Sequence, residues 1–348
     1  MAGMTFTLEQ ITALLGGELE GDPLLQVDQI QNIETAEANS ITFLSNPKYE
    51  PYLYTSKAGA IIIQKDLEVK SSVNSSLIRV DNPYSSFTLL LGEYQKLQIL
   101  QKIGEEAPVY KGDQIAIGEK YYLGAFSYIG SGSKIGKNVK IFPQSYIGEN
   151  CEIGDNTIIY SGVKIYANTK IGGYCTIQSG AIIGSDGFGF APQDDGSYKS
   201  IPQVGNVVIE DHVDIGANTV IDCSTFESTI VKKGVKLDNL IQVAHNVQIG
   251  ENTVIAAQAG IAGSTHVGKQ CIIGGQAGLV GHIQIADGTK VQAQSGITKR
   301  TKENTAWYGS PALPYNNYVK SYTVFRRLPE LLKRIEELEE KLLNLGAE

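Results

Sequence analysis

Residue types that mark common kinds of functional site are scarce in this chain. Its 348 residues include only four histidines and four cysteines, and no two cysteines form a C-x-x-C pair. Widely separated cysteines disfavour both a zinc cluster and a disulfide framework, so the sequence predicts reduced, buried thiols. The four positions are Cys151, Cys175, Cys223 and Cys271.

Basic charge and long apolar runs are also missing. The formal net charge is −8, whereas surfaces that bind nucleic acids or anionic membranes need a basic excess. No run of about eighteen apolar residues occurs that could span a membrane. The N-terminal segment MAGMTFTLEQITALLGG lacks the basic-then-apolar order of a secretory signal. We therefore expect a soluble cytoplasmic protein with no nucleic-acid partner and no transmembrane segment.

What the chain does contain is a repeat of six residues. Aliphatic residues occupy every sixth position from Ile117 to Ile183 and again from Val231 to Ile297, twelve times in each stretch. The phase is lost in two segments, SDGFGFAPQDDGSYKSIPQ and CSTFES. A period of six fits neither an amphipathic helix nor an alternating strand. It is typical of a β-solenoid in which each hexapeptide forms one short strand and one turn.

The ends of the chain do not follow this repeat. The segment FTLEQITALLGGEL predicts a short helix stopped by glycine, and AGAIIIQ predicts a buried strand, so residues 1–105 are predicted to form a small α/β domain. Residues 106–312 are predicted to form the solenoid. Residues 313–348 are predicted to form a helical extension, because leucine and isoleucine recur three and four residues apart from Leu328 to Leu345. This extension packs on its own solenoid or forms oligomers.

One histidine lies inside the most regular part of the repeat, in the segment DNLIQVAHNVQIG. Three hexapeptides complete a triangular coil, so the residue eighteen positions after His245, which is Gly263, lies one coil above it. Another coil higher is Gly281, followed by His282. A neutral imidazole can accept a proton, and a glycine amide can stabilise an oxyanion. Spacing alone leaves two interpretations open, a catalytic base or a histidine that caps an exposed turn.

Two other classes of protein are weighed against an enzyme of this kind. Some hexapeptide solenoids bind zinc through three histidines, but such ligands must converge on one point, and the four histidines of this chain contain no close pair. We therefore expect no metal site. A purely structural solenoid would need neither the N-terminal domain nor the column that contains His245.

With these residues in view, the chain resembles the family of UDP-3-O-(3-hydroxyacyl)glucosamine N-acyltransferases, which act in the lipid A pathway of Gram-negative bacteria. The segments ITFLSNPKYE, IGSDGFGF, DNLIQVAHNVQIG and GGQAGLVGH carry the resemblance, in this order. It implies a mainly β fold, a left-handed parallel β-helix with a small N-terminal α/β domain and C-terminal α-helices. It also implies a homotrimer, and transfer of a 3-hydroxyacyl group from acyl carrier protein to the 2-amine of a UDP-sugar.

The resemblance also implies roles for individual residues. His245 matches the general base, Gly263 the residue whose amide faces the oxyanion, and His282 a second histidine of the site. Asp238, with its neighbour Asn239, matches a sugar-contacting position. In the N-terminal domain Phe43, Asn46 and Tyr49 match a uracil site, because aromatic rings stack on a planar base and an asparagine amide pairs with its edge.

The acyl donor, acyl carrier protein, also needs a docking surface on this chain. Acyl carrier proteins are acidic and so is this chain, so docking requires a local basic patch, and TKRTK supplies Lys299, Arg300 and Lys302. No cofactor is expected, since the 4'-phosphopantetheine arrives on the carrier protein. The alternative within the same pathway is an O-acyltransferase on a UDP-sugar, which shares the solenoid but lacks an N-terminal uridine domain of this kind.

Overall fold

A computed structural model describes residues 5–310 and 312–345 of the chain. The chain divides into two compact units. The first runs up to Glu105 and also takes in Lys120–Leu123. The second comprises Glu106–Glu119 and continues from Gly124.

The first unit contains a five-stranded sheet that is parallel except at one edge. In spatial order its strands are Glu18–Glu20, Ser76–Val80, Ala60–Gln64, Ser40–Phe43 and Gln29–Ile30. Only the pair formed by Glu18–Glu20 and Ser76–Val80 is antiparallel. The segment AGAIIIQ supplies the central strand, whose first four residues are buried. Two further pairs lie outside this sheet: Phe6–Thr7 with Gln26–Val27, antiparallel, and Gly104–Glu105 with Tyr122–Leu123, parallel.

Helices complete the first unit. They are α1 (Leu8–Leu15), α2 (Glu50–Leu53), α3 (Pro83–Leu100) and a short 3-10 helix at Pro47–Tyr49. Helix α1 begins at a capping box in which Thr7 and Gln10 exchange hydrogen bonds, and it ends at Gly16 with a φ of 63°. Apolar clusters cover both sides of the sheet, because alternate residues of a strand point to opposite faces. The predicted α/β character of residues 1–105 follows from this arrangement.

The second unit is a parallel β-helix. In each hexapeptide the aliphatic residue is the second residue of a two-residue strand and points into a buried core, as Ile147 and Ile249 do. Three residues before the aliphatic position the backbone turns through a positive φ, for example 59° at Asn246. Asparagine tolerates this conformation better than most residues, which explains its frequency in the repeat. The predicted fold class is confirmed.

Three faces of parallel strands wrap around the core. Face 1 consists of Tyr110–Lys111, Tyr128–Ile129, Tyr146–Ile147, Lys164–Ile165, Ile182–Ser185, Val220–Asp222, Gln242–Val243, Gly260–Ile261, Gly278–Leu279 and Gly296–Ile297. Face 2 consists of Ala116–Ile117, Lys134–Ile135, Glu152–Ile153, Lys170–Ile171, Asn206–Ile209, Ser228–Val231, Gln248–Ile249, His266–Val267 and Gln284–Ile285. Face 3 includes Lys140–Ile141, Ile158–Ile159, Thr176–Ile177, Asp214–Ile215, Lys236–Leu237, Val254–Ile255, Ile272–Ile273, Lys290–Val291 and Ala306–Trp307.

The two losses of phase in the sequence correspond to two insertions between face 1 and face 2. The longer insertion leaves the solenoid after Ile182–Ser185 and forms an antiparallel hairpin of Phe190–Pro192 with Tyr198–Ser200. The shorter insertion lies between Val220–Asp222 and Ser228–Val231. Both therefore lie at the same corner of the triangle, one coil apart.

The chain ends in two helices, α4 (Tyr315–Arg326) and α5 (Leu328–Leu345). The leucine and isoleucine seam of α5 is largely exposed at Leu328, Ile335, Leu338 and Leu342. The side chain of Leu345 and residues 346–348 lie outside the described part of the chain. Across residues 5–310 and 312–345, no helix combines the length and the apolar character that crossing a bilayer requires.

Candidate active site

His245 lies at the corner between face 1 and face 2, directly after the strand Gln242–Val243. The carbonyl of His245 accepts a hydrogen bond from the amide of Ser264, 3.0 Å away, and the carbonyl of Gly263 accepts one from the amide of His282, also at 3.0 Å. The three coils therefore stack in the eighteen-residue register, with His245, Gly263 and Gly281 in one column. His282 belongs to the next column, at the turn position above Ser264.

The imidazole of His245 is confined between two glycines. A Cβ atom on Gly263 would lie 2.6 Å from Nε2 of His245, and one on Gly187 would lie 2.7 Å from Cβ of His245. Both distances are too short for a side chain to be added without displacing the ring. Gly263 comes from the coil above, whereas Gly187 belongs to DGFGF in the longer insertion. From the sequence, DGFGF is only part of a segment that breaks the repeat, and its contact with the histidine is not predicted.

The amide of Gly263 differs from several of its counterparts, which side chains of neighbouring coils cap. At the same turn position, Lys137 donates its amide hydrogen to Asp155 at 2.7 Å, Lys269 donates to Asp287 at 2.9 Å, and Ala257 donates to Asp238 at 3.1 Å. The residue that could cap Gly263 from the next coil is Gly281, which has no side chain. No described residue accepts a hydrogen bond from the Gly263 amide. It is thus available to a negatively charged atom beside His245.

A buried carboxylate, that of Asp222, lies near His245 and is not among the site residues predicted from the sequence. Asp222 is 7% exposed, and it accepts hydrogen bonds from Ser185 at 3.0 Å and Gln242 at 2.9 Å. Burial raises the pKa of the Asp222 carboxyl, while the two hydrogen bonds and the nearby His245 act in the opposite direction. A signal existed, since an aspartate at the end of an otherwise aliphatic strand is unusual.

Asp238 and Asn239 occupy the corner that precedes the strand Gln242–Val243, and His245 occupies the corner that follows it. Asp238 accepts hydrogen bonds from the amide and side chain of Asn239 at 2.8 and 2.9 Å, and Asn239 accepts one from the amide of Ala217 at 2.7 Å. Both side chains are exposed. They lie on the same side of the solenoid as His245, one strand away from it.

The predicted uracil residues line a single cavity of about 660 Å³ in the first unit. Phe43, Asn46 and Tyr49 contribute to its wall, together with Phe87 from α3. The Phe43 ring is stacked on Phe87, with ring centroids 4.1 Å apart. Oδ1 of Asn46 accepts from the amide of Lys48 at 3.0 Å, while its NH₂ group donates to no described residue. The sequence identifies three of these residues and misses Phe87.

The basic segment TKRTK follows the last strand of face 1. Lys299, Arg300 and Lys302 are exposed, and none of them forms an ion pair with a described residue. Lys299 Nζ lies 5.9 Å from the centre of the Trp307 ring. The positive charge of this segment is therefore available to an acidic partner.

The remaining histidines lie elsewhere. His212 is stacked on Tyr174 at a different corner of the solenoid, with ring centroids 5.1 Å apart. His266 is exposed on face 2. Among the described residues, no three histidine, cysteine, aspartate or glutamate side chains come together where a metal ion could bind. The four cysteines are buried and unpaired.

Known families match both units. The model described as UDP-3-O-(3-hydroxymyristoyl) glucosamine N-acyltransferase, LpxD, matches residues 25–92, which include the cavity residues Phe43, Asn46 and Tyr49. The bacterial transferase hexapeptide model (six repeats) matches residues 132–167 and 228–263, which include His245 and Gly263.

Relatives extend the match to the whole chain. A UDP-3-O-acylglucosamine N-acyltransferase of Cytophaga hutchinsonii is 59% identical over 99% of this chain and 99% of its own length. Proteins of the same name from Christiangramia forsetii and Porphyromonas gingivalis are 54% and 47% identical, each over 98% of this chain and at least 97% of their own length. Identity at this level includes the N-terminal unit as well as the repeat.

A solved structure supports the fold independently. Arabidopsis UDP-N-acetylglucosamine acyltransferase superimposes with a TM-score of 0.50 and 18% identity, covering 60% of this chain and 70% of that one. At this identity the likeness concerns the solenoid fold. Together with the near full-length relatives, these findings show that the chain is an acyltransferase and belongs to the UDP-3-O-acylglucosamine N-acyltransferase family.

Proposed function

We propose that this chain transfers a 3-hydroxyacyl group from an acyl carrier protein thioester to the 2-amine of UDP-3-O-(3-hydroxyacyl)glucosamine, in the cytoplasm and in the service of lipid A biosynthesis. One observation carries the proposal: an imidazole lies against a turn whose amide hydrogen is uncapped. When an amine attacks a thioester, a base must take a proton from the nitrogen and a hydrogen-bond donor must stabilise the oxyanion. The imidazole of His245 and the amide of Gly263, on adjacent coils, supply these two groups.

His245 acts as the general base. The amine nitrogen attacks the thioester carbonyl, Nε2 of His245 takes a proton from that nitrogen, and the carbonyl oxygen becomes an oxyanion beside the amide of Gly263. The tetrahedral intermediate then collapses, its C–S bond breaks, and the imidazolium returns the proton to the departing thiolate. The products are the amide and the free phosphopantetheine thiol, so no covalent acyl-enzyme is formed.

Other residues hold the two substrates. Asp238 and Asn239 are assigned to the sugar of the acceptor, since they are exposed one strand from His245. His282 lies two coils above the turn at Asn246, a rise of about 10 Å, and it is assigned to the wall of the same site. No cofactor is needed, since the phosphopantetheine comes with the donor. A homotrimer is proposed as the working assembly.

The uracil of the acceptor is assigned to the cavity lined by Phe43, Asn46 and Tyr49. Replacing Phe43 with alanine should raise KM for the UDP-sugar by about tenfold and leave kcat nearly unchanged, because base stacking contributes about 1–3 kcal/mol far from the reacting amine. Steady-state kinetics with varied acceptor measure the effect.

Phe43 also packs into the core of its unit, so thermal unfolding of the variant must be compared with that of the wild type. Phe43→Tyr, which keeps the stacking ring, is the matched control and should retain KM. The exposed Tyr49→Ala offers a second test with little risk to the fold. If both alanine variants bind the UDP-sugar normally, the cavity is not the uracil site.

Lys299, Arg300 and Lys302 are assigned to the docking of acyl carrier protein. Reversing two charges, Arg300→Glu with Lys302→Glu, should raise KM for the carrier substrate by about tenfold at low salt and reduce its dependence on salt, while KM for the UDP-sugar stays constant. The matched control reverses Lys134 and Lys170 on face 2 and should change neither constant. An unaltered KM for the carrier at both low and high salt contradicts this docking site.

The reaction itself is tested with the purified chain, a 3-hydroxyacyl carrier thioester and UDP-3-O-(3-hydroxyacyl)glucosamine. We expect mass spectrometry to show one added acyl group on the 2-nitrogen and an equal amount of free carrier thiol. UDP-N-acetylglucosamine, whose nitrogen is already acylated, serves as the control acceptor and should remain unmodified. Acylation of a hydroxyl in that control would support the O-acyltransferase alternative instead.

A further inference from the structure

Asn246 follows His245 at the turn and contacts its ring. Oδ1 of Asn246 lies 3.0 Å from Nδ1 of His245. The same oxygen accepts a hydrogen bond from the backbone amide of Thr225 at 3.2 Å, and the side-chain nitrogen of Asn246 donates to Ser224 Oγ at 2.5 Å. The side chain is therefore tied to the shorter insertion, the segment CSTFES that breaks the repeat.

These contacts fix which way the amide is turned. A backbone N–H can only donate, so the atom that faces Thr225 must be the carbonyl oxygen of Asn246 rather than its NH₂ group. That oxygen can only accept, so Nδ1 of His245 must carry the hydrogen in their contact. In a neutral imidazole the other nitrogen then has none. Nε2, the ring atom nearest to where a Cβ on Gly263 would lie, is left as the proton acceptor.

We propose that Asn246, held by Ser224 and Thr225, is a positioning residue that keeps His245 in the tautomer with hydrogen on Nδ1 and an unprotonated Nε2. This inference rests on the proposed function and assigns a purpose to the shorter insertion. The inserted residues supply an amide hydrogen and a hydroxyl at the level of Asn246, which the uninterrupted repeat does not. A wrong tautomer places the hydrogen on the catalytic nitrogen and removes the base.

Asp222 interacts with His245, and other titratable groups come from the neighbouring coils and the longer insertion, so all of them must stay constant in any test. Asp222 and Cys223 come from the coil beneath, Asp186 comes from the longer insertion next to Gly187, and His282 comes from the upper coils. None of them is altered in the variants below. Changes in pH dependence can then be traced to residue 246.

Two variants separate orientation from charge. Asn246→Gly accepts the positive φ of 59° at this turn but lacks the amide, and it should lower kcat by about 10²-fold with KM nearly unchanged. Asn246→Asp keeps an acceptor for Nδ1 and for Thr225, so it should restore much of kcat. Its added carboxylate stabilises the imidazolium, which is inactive as a base, so the acidic limb of the kcat/KM profile should move up by at least about one pH unit.

Asn252→Gly is the matched control, because Asn252 occupies the same turn position one strand later with a φ of 54°. It should change neither kcat nor the pH profile. A loss of activity that came from glycine at this turn position as such would instead appear in both variants.

A spectroscopic measurement tests the tautomer without turnover. With ¹⁵N-labelled histidine rings, and His245→Gln to assign the signal, the wild type above the acidic limb should show hydrogen on Nδ1 of residue 245. Asn246→Gly should show a mixture of tautomers. Hydrogen on Nε2 in the wild type overturns the inference, and so does full kcat with an unchanged profile in Asn246→Gly. If the wild type transfers no acyl group at all, the proposed function fails, yet the ring signals still decide the tautomer.

Discussion

Replacing His245 with alanine is expected to lower kcat by about 10²- to 10⁴-fold, the range in which general bases contribute to catalysis. Without the imidazole the group assigned to take the proton from the attacking amine is lost. The fold should survive, because the aliphatic core of the β-helix does not include His245. KM for both substrates should change little, since the base acts mainly in the transition state.

Single-turnover kinetics of the loaded carrier measure this effect without interference from product release. The control is His266→Ala, which removes an exposed histidine from face 2 and should leave kcat unchanged. Circular dichroism and size-exclusion chromatography establish that both variants are folded. An alanine variant that retains a tenth of the wild-type kcat would exclude His245 as the general base.

Gly263→Ala should be nearly as damaging, at about 10²-fold in kcat or more. The added Cβ would lie 2.6 Å from Nε2 of His245, and the ring cannot retreat freely because Gly187 lies against its other side. Alanine keeps the amide hydrogen of residue 263, so a large loss reports displacement of the ring. Gly187→Ala approaches the imidazole from the opposite side and should also lower kcat.

Gly173→Ala is the matched control for this pair. Gly173 occupies the same position before a turn at a distant corner, where a Cβ would lie 3.1 Å from the carbonyl oxygen of Asp155. It tests whether alanine at this position harms the solenoid as such, and it should cost a little stability and no activity. Normal kcat in Gly263→Ala would show that the ring has room to move and that its confinement has no catalytic importance.

The regular part of the site can be predicted because it depends on counting. A period of six with three strands per coil determines which residues stack, so the spacing alone places Gly263 and Gly281 above His245. The same counting does not show that two adjacent residues at a turn point in different directions. It therefore groups His282 with Gly281, although the histidine belongs to the neighbouring column. A change of one position around a turn points a side chain in another direction.

The residues that sequence reasoning misses lie where counting fails. Gly187 reaches His245 from the longer insertion, and Ser224 and Thr225 reach Asn246 from the shorter one. Inside an insertion the sequence separation of two residues no longer gives their separation in space. The partners of Asp222 are equally hidden from the sequence, because Ser185, which donates a hydrogen bond to it, lies 37 residues away at the edge of the longer insertion. Phe87 escapes notice because α3 lies far from Phe43 in the sequence, and only tertiary packing joins them.

The uncapped turn at Gly263 has a consequence for how this protein tolerates change. The site is made by leaving side chains out at positions 187, 263 and 281, while the aliphatic core that holds the coils together lies elsewhere. A methyl group added at 187 or 263 would fill the space beside the imidazole, and a Cβ at 281 would lie 3.0 Å from the carbonyl oxygen of Gly263. None of these changes touches the aliphatic core. Selection for folding or solubility alone would accept such variants, so loss of activity can accumulate in this family without any loss of the protein.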